Sequence, residues 1–143
     1  MSEDVCRRDM LLVFMARILE EEFGSEALDV LMEWRDKKTR ERWKEIARTS
    51  GRSDPEYLFR LFDERVHEFE VIRKDRRVLE VKVTRCAHAD TFKRFNAADI
   101  GQKLICNGDI AVVEGFNPRM KFTRSKLLMA GDDCCHFKFE LEE

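Results

Sequence analysis

Four of the five cysteines and two of the three histidines in this chain fall between Cys86 and Phe137. They come in three clusters: Cys86-Ala87-His88-Ala89-Asp90, then Cys106-Asn107-Gly108-Asp109, then Gly131-Asp132-Asp133-Cys134-Cys135-His136-Phe137. Thiol, imidazole and carboxylate carry out nucleophilic, acid–base and metal chemistry, so the clusters mark where chemistry is expected. Cys86 with His88, or Cys134 with His136, has the two-residue offset that puts both side chains on one face of a strand, as a thiol and its base require. Cys86, His88, Cys106 and Cys134 or Cys135 are also candidate zinc ligands, although no Cys-x-x-Cys pair is present; buried reduced thiols packing as small apolar residues are the alternative. Asp109, between Cys106 and an apolar helix start, is the carboxylate best placed to become a general base through partial burial; helix capping is its plainer role. Arg85, Arg119 and Arg124 are candidates to grip a substrate carboxylate. Arg119 comes first, with Glu114 and Phe116 beside it as substrate-binding residues.

These groups need elements to hold them. Leu11, Phe14, Met15, Ile18, Leu19 and Glu22 keep helical spacing and predict a buried stripe on a helix that Gly24 ends. Ser25 opens a second helix with Leu28, Leu31 and Met32 on one face and Trp34 and Trp43 continuing it, either unbroken to Gly51 or interrupted near Lys38 to Arg40. Ser53-Asp54-Pro55-Glu56 signals a third, through a capping box and a first-turn proline. After His67, which reads as a surface or capping residue, the period changes to two. Phe69 and Val71, then Leu79, Val81 and Val83, alternate with charged residues as a hairpin. Helical spacing returns over Ala97 to Cys106 and Asp109 to Glu114. Met120 and Phe122 begin a third strand, and Cys135, Phe137, Phe139 and Leu141 form the inner face of a fourth. Cys135 is thus expected in the core and Cys134 facing a cavity, a partner or solvent.

The reading is α+β: N-terminal helices (1–67) packed on a C-terminal antiparallel sheet of about four strands with inserted helices (68–143), as one domain over 1–143. Charged residues make up 39% of the chain, yet the net charge is only −2, which gives no general attraction for nucleic acid or an anionic membrane. No window is apolar enough to span a bilayer and the N-terminus lacks a signal-peptide pattern, so a cytoplasmic protein with reduced thiols is expected. The helices carry more apolar surface than one sheet face covers, which predicts a homodimer.

Cys86-Ala87-His88-Ala89-Asp90, the run Cys106 to Arg119 and the run Gly131 to Phe139 resemble the L-2-amino-thiazoline-4-carboxylic acid hydrolase family. The resemblance is carried by the C-terminal part of the chain, and the N-terminal helices match in general character only. It implies a small-molecule hydrolase that opens a thiazoline ring to a carbamoyl-cysteine, a step of cysteine metabolism. Cys86, His88, Cys106 and Asp109 are then the catalytic candidates, with Asp109 or a metal activating water and His88 protonating the leaving group. The chain departs from the family pattern at Asn107 and His136, where the family has aspartates. The Cys-rich ending is also similar to vinyl-reductase-type small-molecule-binding domains, and so implies an alternative: a non-catalytic module that binds a small molecule or metal or senses redox state.

Overall fold

A computed structural model describes residues 3–142. Helix α1 (Glu3–Phe23) ends at Gly24, whose φ of 82° costs glycine nothing, and helix α2 (Glu26–Ser50) follows without interruption. Gly51 closes α2 in the left-handed conformation, its N–H donating to the Ala47 carbonyl at 3.1 Å. The segment Pro55–Leu61 is a 3₁₀ helix, not an α-helix. Its N-cap is Asp54 rather than the Ser53 of the expected capping box, and no side-chain cap bond forms; the Asp54 carboxylate instead accepts two 2.7 Å hydrogen bonds from Arg52.

Four antiparallel strands, β1 (His67–Lys74), β2 (Val78–Cys86), β3 (Lys121–Lys126) and β4 (Cys135–Glu140), lie in the order β1-β2-β4-β3. The inner-face pairs Leu79–Phe139, Val81–Phe137 and Val83–Cys135 realise the alternation read from sequence. The rings of Phe122 and Phe139 stack across β3 and β4 at 4.8 Å. Between β2 and β3 the chain forms α3 (Ala87–Arg94), α4 (Ala98–Gly101), a π-helical turn (Gln102–Cys106) and α5 (Gly108–Phe116). The protein is therefore α+β, with most of its helices ahead of or inserted into an antiparallel sheet. Among the described residues no helix is long and apolar enough to cross a membrane.

One buried cluster joins the sheet to α5 and Leu58, and a second joins α1, Leu28, α3, α4 and Met129. Cys86, Leu127 and Leu128 pack against both, marking a seam between them. Each large apolar side chain buried in either cluster contributes roughly 1.5–3 kcal/mol.

The first helix turns the other way from its predicted stripe. Val5, Asp9, Val13 and Ala16 face inward, while Leu11, Phe14, Met15 and Ile18 are exposed. Small side chains let α1 come close to α3, and its larger ones project away. On α2 only Leu28 is fully buried; Trp34 is exposed, and Trp43 packs edge-on against Phe116 at 5.7 Å.

Candidate functional site

A cavity of about 170 Å³ occupies the seam between the two clusters. Its polar wall is His67, Cys86, His88, Cys106, Asp109 and Cys135; Leu61, Val83, Ile105, Leu127 and Phe137 complete it. Every polar member stands at an element end: the start of β1, the end of β2, the first turn of α3, the last residue of the π turn, the first turn of α5 and the start of β4. The predicted catalytic residues Cys86, His88, Cys106 and Asp109 thus share one cavity. His88 sits on a helix, not on the strand of Cys86, so the two do not share a strand face as expected.

His88 is held from outside the cluster. Its Nδ1 lies 2.5 Å from the Asp9 carboxylate, which α1 brings in as the one charged side chain on its buried face. A carboxylate is acceptor-only, so Nδ1 carries a proton and Nε2 is left to take or give one. The Asp9 side chain is only 6% exposed, which anchors the imidazole against rotation.

Among the described carboxylates whose pKa is shifted, Asp109 is the one shifted upward. A third of its side-chain surface stays accessible, yet the protein packed around it desolvates the carboxylate enough to push its pKa up to about 6. Arg124, 3.5 Å away, opposes the shift without cancelling it, and His88 and Arg35 oppose it further. Arg124 is divided among several acceptors, donating to the Cys106 carbonyl at 2.7 Å and to the Asn107 side-chain oxygen at 3.3 Å. Asn107 accepts from Arg124 without adding a second negative charge beside Asp109.

The π turn sets the position of Cys106. The Asn107 N–H donates to the Gln102 carbonyl at 2.9 Å, five residues back, so one extra residue enters the turn before α5. Arg35 of α2 holds this turn through the Leu104 carbonyl and, at 2.8 Å, the Lys103 carbonyl.

Burial works against the thiols. Desolvation raises Cys86, and it drives Cys106 to about 12, helped by Asp109, and Cys135 to about 11. All three are protonated near neutral pH, which removes the basis for a thiolate nucleophile at Cys86 or Cys106. His67 goes down to about 4, first through desolvation and then through His88, and is a neutral ring. Its Nδ1 accepts the Asp63 N–H at 3.3 Å, so Nε2 bears the hydrogen and is a donor. This corrects the surface or capping role read from sequence.

Cys135 is in the core as expected, and it is the one that reaches the cavity; Cys134 precedes β4, is also buried and lies off the cavity wall. The strand argument failed for Cys134 because β4 begins one residue later. His136 faces the other side of the sheet, 2.7 Å from Glu80 and 3.0 Å from Ser125, so the Cys134–His136 pair does not form and the His136 departure lies away from the cavity. Among the described residues no group of three or more His, Cys, Asp or Glu side chains is placed to hold a metal, so Cys86, His88, Cys106, Cys134 and Cys135 are not arranged as a ligand set.

The predicted substrate-binding residues are elsewhere. Arg119 is exposed in the turn before β3, where its N–H donates to Asn117. Glu114 pairs with Arg40 at 3.6 Å on the surface, and Phe116 is core, stacked on Tyr57 at 5.4 Å. Sequence reasoning missed Asp9 and Arg35. The signal for Asp9 was present: an acid spaced four residues from both Val5 and Val13 shares their helix face.

No curated protein and no solved structure matches the chain significantly. The family profile described as L-2-amino-thiazoline-4-carboxylic acid hydrolase matches residues 6–139, extending the likeness from the C-terminal motifs through both N-terminal helices and so including Asp9 as well as His88 and Asp109. The chain belongs to the L-2-amino-thiazoline-4-carboxylic acid hydrolase family.

Proposed function

We propose that the protein hydrolyses a small cyclic amidine of the thiazoline type at the cavity between its two cores. The observation that carries this reading is the joint presence, on one cavity wall, of a carboxylate with its pKa raised to about 6 and a histidine anchored by a buried aspartate. Acid–base catalysis near neutral pH needs two such groups, and their environments separate their roles. A cavity of 170 Å³ is smaller than the roughly 300–1,000 Å³ of pockets for drug-sized ligands, and it suits a five-membered ring with short substituents.

Asp109, ionised above its pKa, takes a proton from water as the water oxygen bonds to the ring carbon between sulfur and nitrogen. The carbon–nitrogen double-bond pair moves onto the ring nitrogen, which takes that proton from Asp109. The carbon–sulfur bond then breaks as the hydroxyl loses its remaining proton to Asp109 and becomes a carbonyl, His88 gives its proton to the departing sulfur, and the proton on Asp109 returns to His88 through solvent. Asp9 stabilises the imidazolium before that transfer and fixes which nitrogen faces the cavity. The products are a ureido group and a free thiol, so atoms balance with one water consumed. The His67 Nε2–H is the donor the cavity wall offers to a polar substituent.

The test is incubation with 2-amino-thiazoline-4-carboxylate, followed by mass detection of the ring-opened, water-added product. Turnover that disappears in both Asp109→Asn and His88→Ala supports the assignment. The alternative, a binding module of the same fold, is favoured by the protonated thiols. Saturable ligand binding with no product over hours would replace the hydrolase reading by that one.

A further inference from the structure

Nine of the twelve large apolar side chains left exposed among the described residues belong to α1 and α2, a concentration that single, scattered surface hydrophobics do not produce. On α1, Leu11, Phe14, Met15 and Ile18 project from one side, opposite the buried Val5, Asp9, Val13 and Ala16. Arg7 and Arg8 flank this face toward the N-terminus, and Glu21 and Glu22 flank it toward the C-terminus. All four are exposed and, among the described residues, have no ion-pair partner.

The pattern is its own complement when reversed. A twofold axis crossing the helix between Phe14 and Met15 sets Phe14 of one copy against Met15 of the other, Leu11 against Ile18, Arg8 against Glu21 and Arg7 against Glu22. We infer that this face of α1 is an isologous homodimer contact in which two copies pack antiparallel. Parallel packing would oppose arginine to arginine and glutamate to glutamate. An anionic membrane gains nothing from a face carrying two charges of each sign.

The area agrees with a second copy. The exposed parts of Met10, Leu11, Phe14, Met15 and Ile18 together equal between two and three whole side chains, roughly 400–600 Å² at about 150–250 Å² for a large side chain. The four flanking charged side chains, all exposed, extend this toward the roughly 800 Å² per partner of a standard interface. The contact also reaches the candidate site. A groove lined by Arg8, Leu11 and Met15 runs along the edge of this face to Asp9 and His88, and the second copy walls its outer side.

Sedimentation of the full chain at tens of micromolar tests this without reference to catalysis. The wild-type protein is expected as a dimer. Arg7→Glu/Arg8→Glu and Glu21→Arg/Glu22→Arg each weaken self-association by about tenfold or more, while an equimolar mixture of the two restores a heterodimer, because the mixed pair opposes Glu to Arg at both ends. Ile18→Asp, at an exposed position, breaks the dimer independently, and circular dichroism establishes that each variant is folded. A wild-type monomer, charge-reversed variants that dimerise as well as the wild type, or a mixture that stays monomeric overturns the proposal.

Discussion

The Asp9 carboxylate lies 2.5 Å from Nδ1 of His88, although 79 positions separate them in the chain. The pair ties the first helix to the cavity at the seam of the two cores, so the N-terminal half takes part in the site as well as packing against the sheet.

Asp9→Asn keeps the volume but removes the charge that orients His88. Turnover is expected to fall by about 10–100-fold, the usual cost of losing the partner that holds a functional histidine. His88→Ala leaves Asp9 buried without its partner and is expected to cost about 3 kcal/mol in urea unfolding. Wild-type turnover in Asp9→Asn would show that the pair is structural only.

The pH dependence follows from Asp109. Its folded pKa of about 6 is above the roughly 3.9 of an unfolded aspartate, so the folded state binds the proton more tightly. The stability this group contributes is therefore present below about pH 4 and is lost as pH rises through about 6. Comparing Asp109→Asn with the wild type isolates this, and the stability of the variant relative to the wild type should increase across that window. Activity runs the other way: an acid limb near pH 6 in the wild-type rate profile marks Asp109 ionising to act as base, and loss of turnover in Asp109→Asn accompanies it.

Cys106, with its pKa pushed up to about 12, is almost wholly protonated at pH 8. Alkylation of Cys106 in the native protein should be on the order of 10³-fold slower than that of a free cysteine, and should accelerate on unfolding. Fast native labelling at this position, read by peptide mass mapping, would restore the thiolate nucleophile.

At Gly115 the α5 backbone packs directly on the backbone of α2. A Cβ there would stand 2.4 Å from the Arg40 carbonyl oxygen and 2.7 Å from its Cα, and a helix backbone cannot yield as a flexible side chain does. Gly115→Ala is expected to destabilise by about 1–3 kcal/mol in thermal or urea melts, and to lower activity by displacing the helix that carries Asp109. A neutral effect would mean that α5 moves freely relative to α2.

Much of this protein was legible in its sequence because the relevant physics is local. Alternation over Leu79, Val81 and Val83 and over Cys135, Phe137 and Phe139 gave the inner strands, since side chains change face at every residue. Gly24 and Gly51 ended the first two helices because each adopts a positive φ that larger residues resist. The first two C-terminal motifs located Cys86, His88, Cys106 and Asp109, and the fold brings them to one cavity. Tertiary structure decided the rest. Which face of α1 turns inward depends on how closely another helix can approach, and small side chains prevailed over the stronger apolar stripe. The roles of the site residues depend on what surrounds them. Burial leaves three cysteines protonated and raises one aspartate, and the residue that orients His88 comes from a distant helix that no spacing within the motifs could reveal.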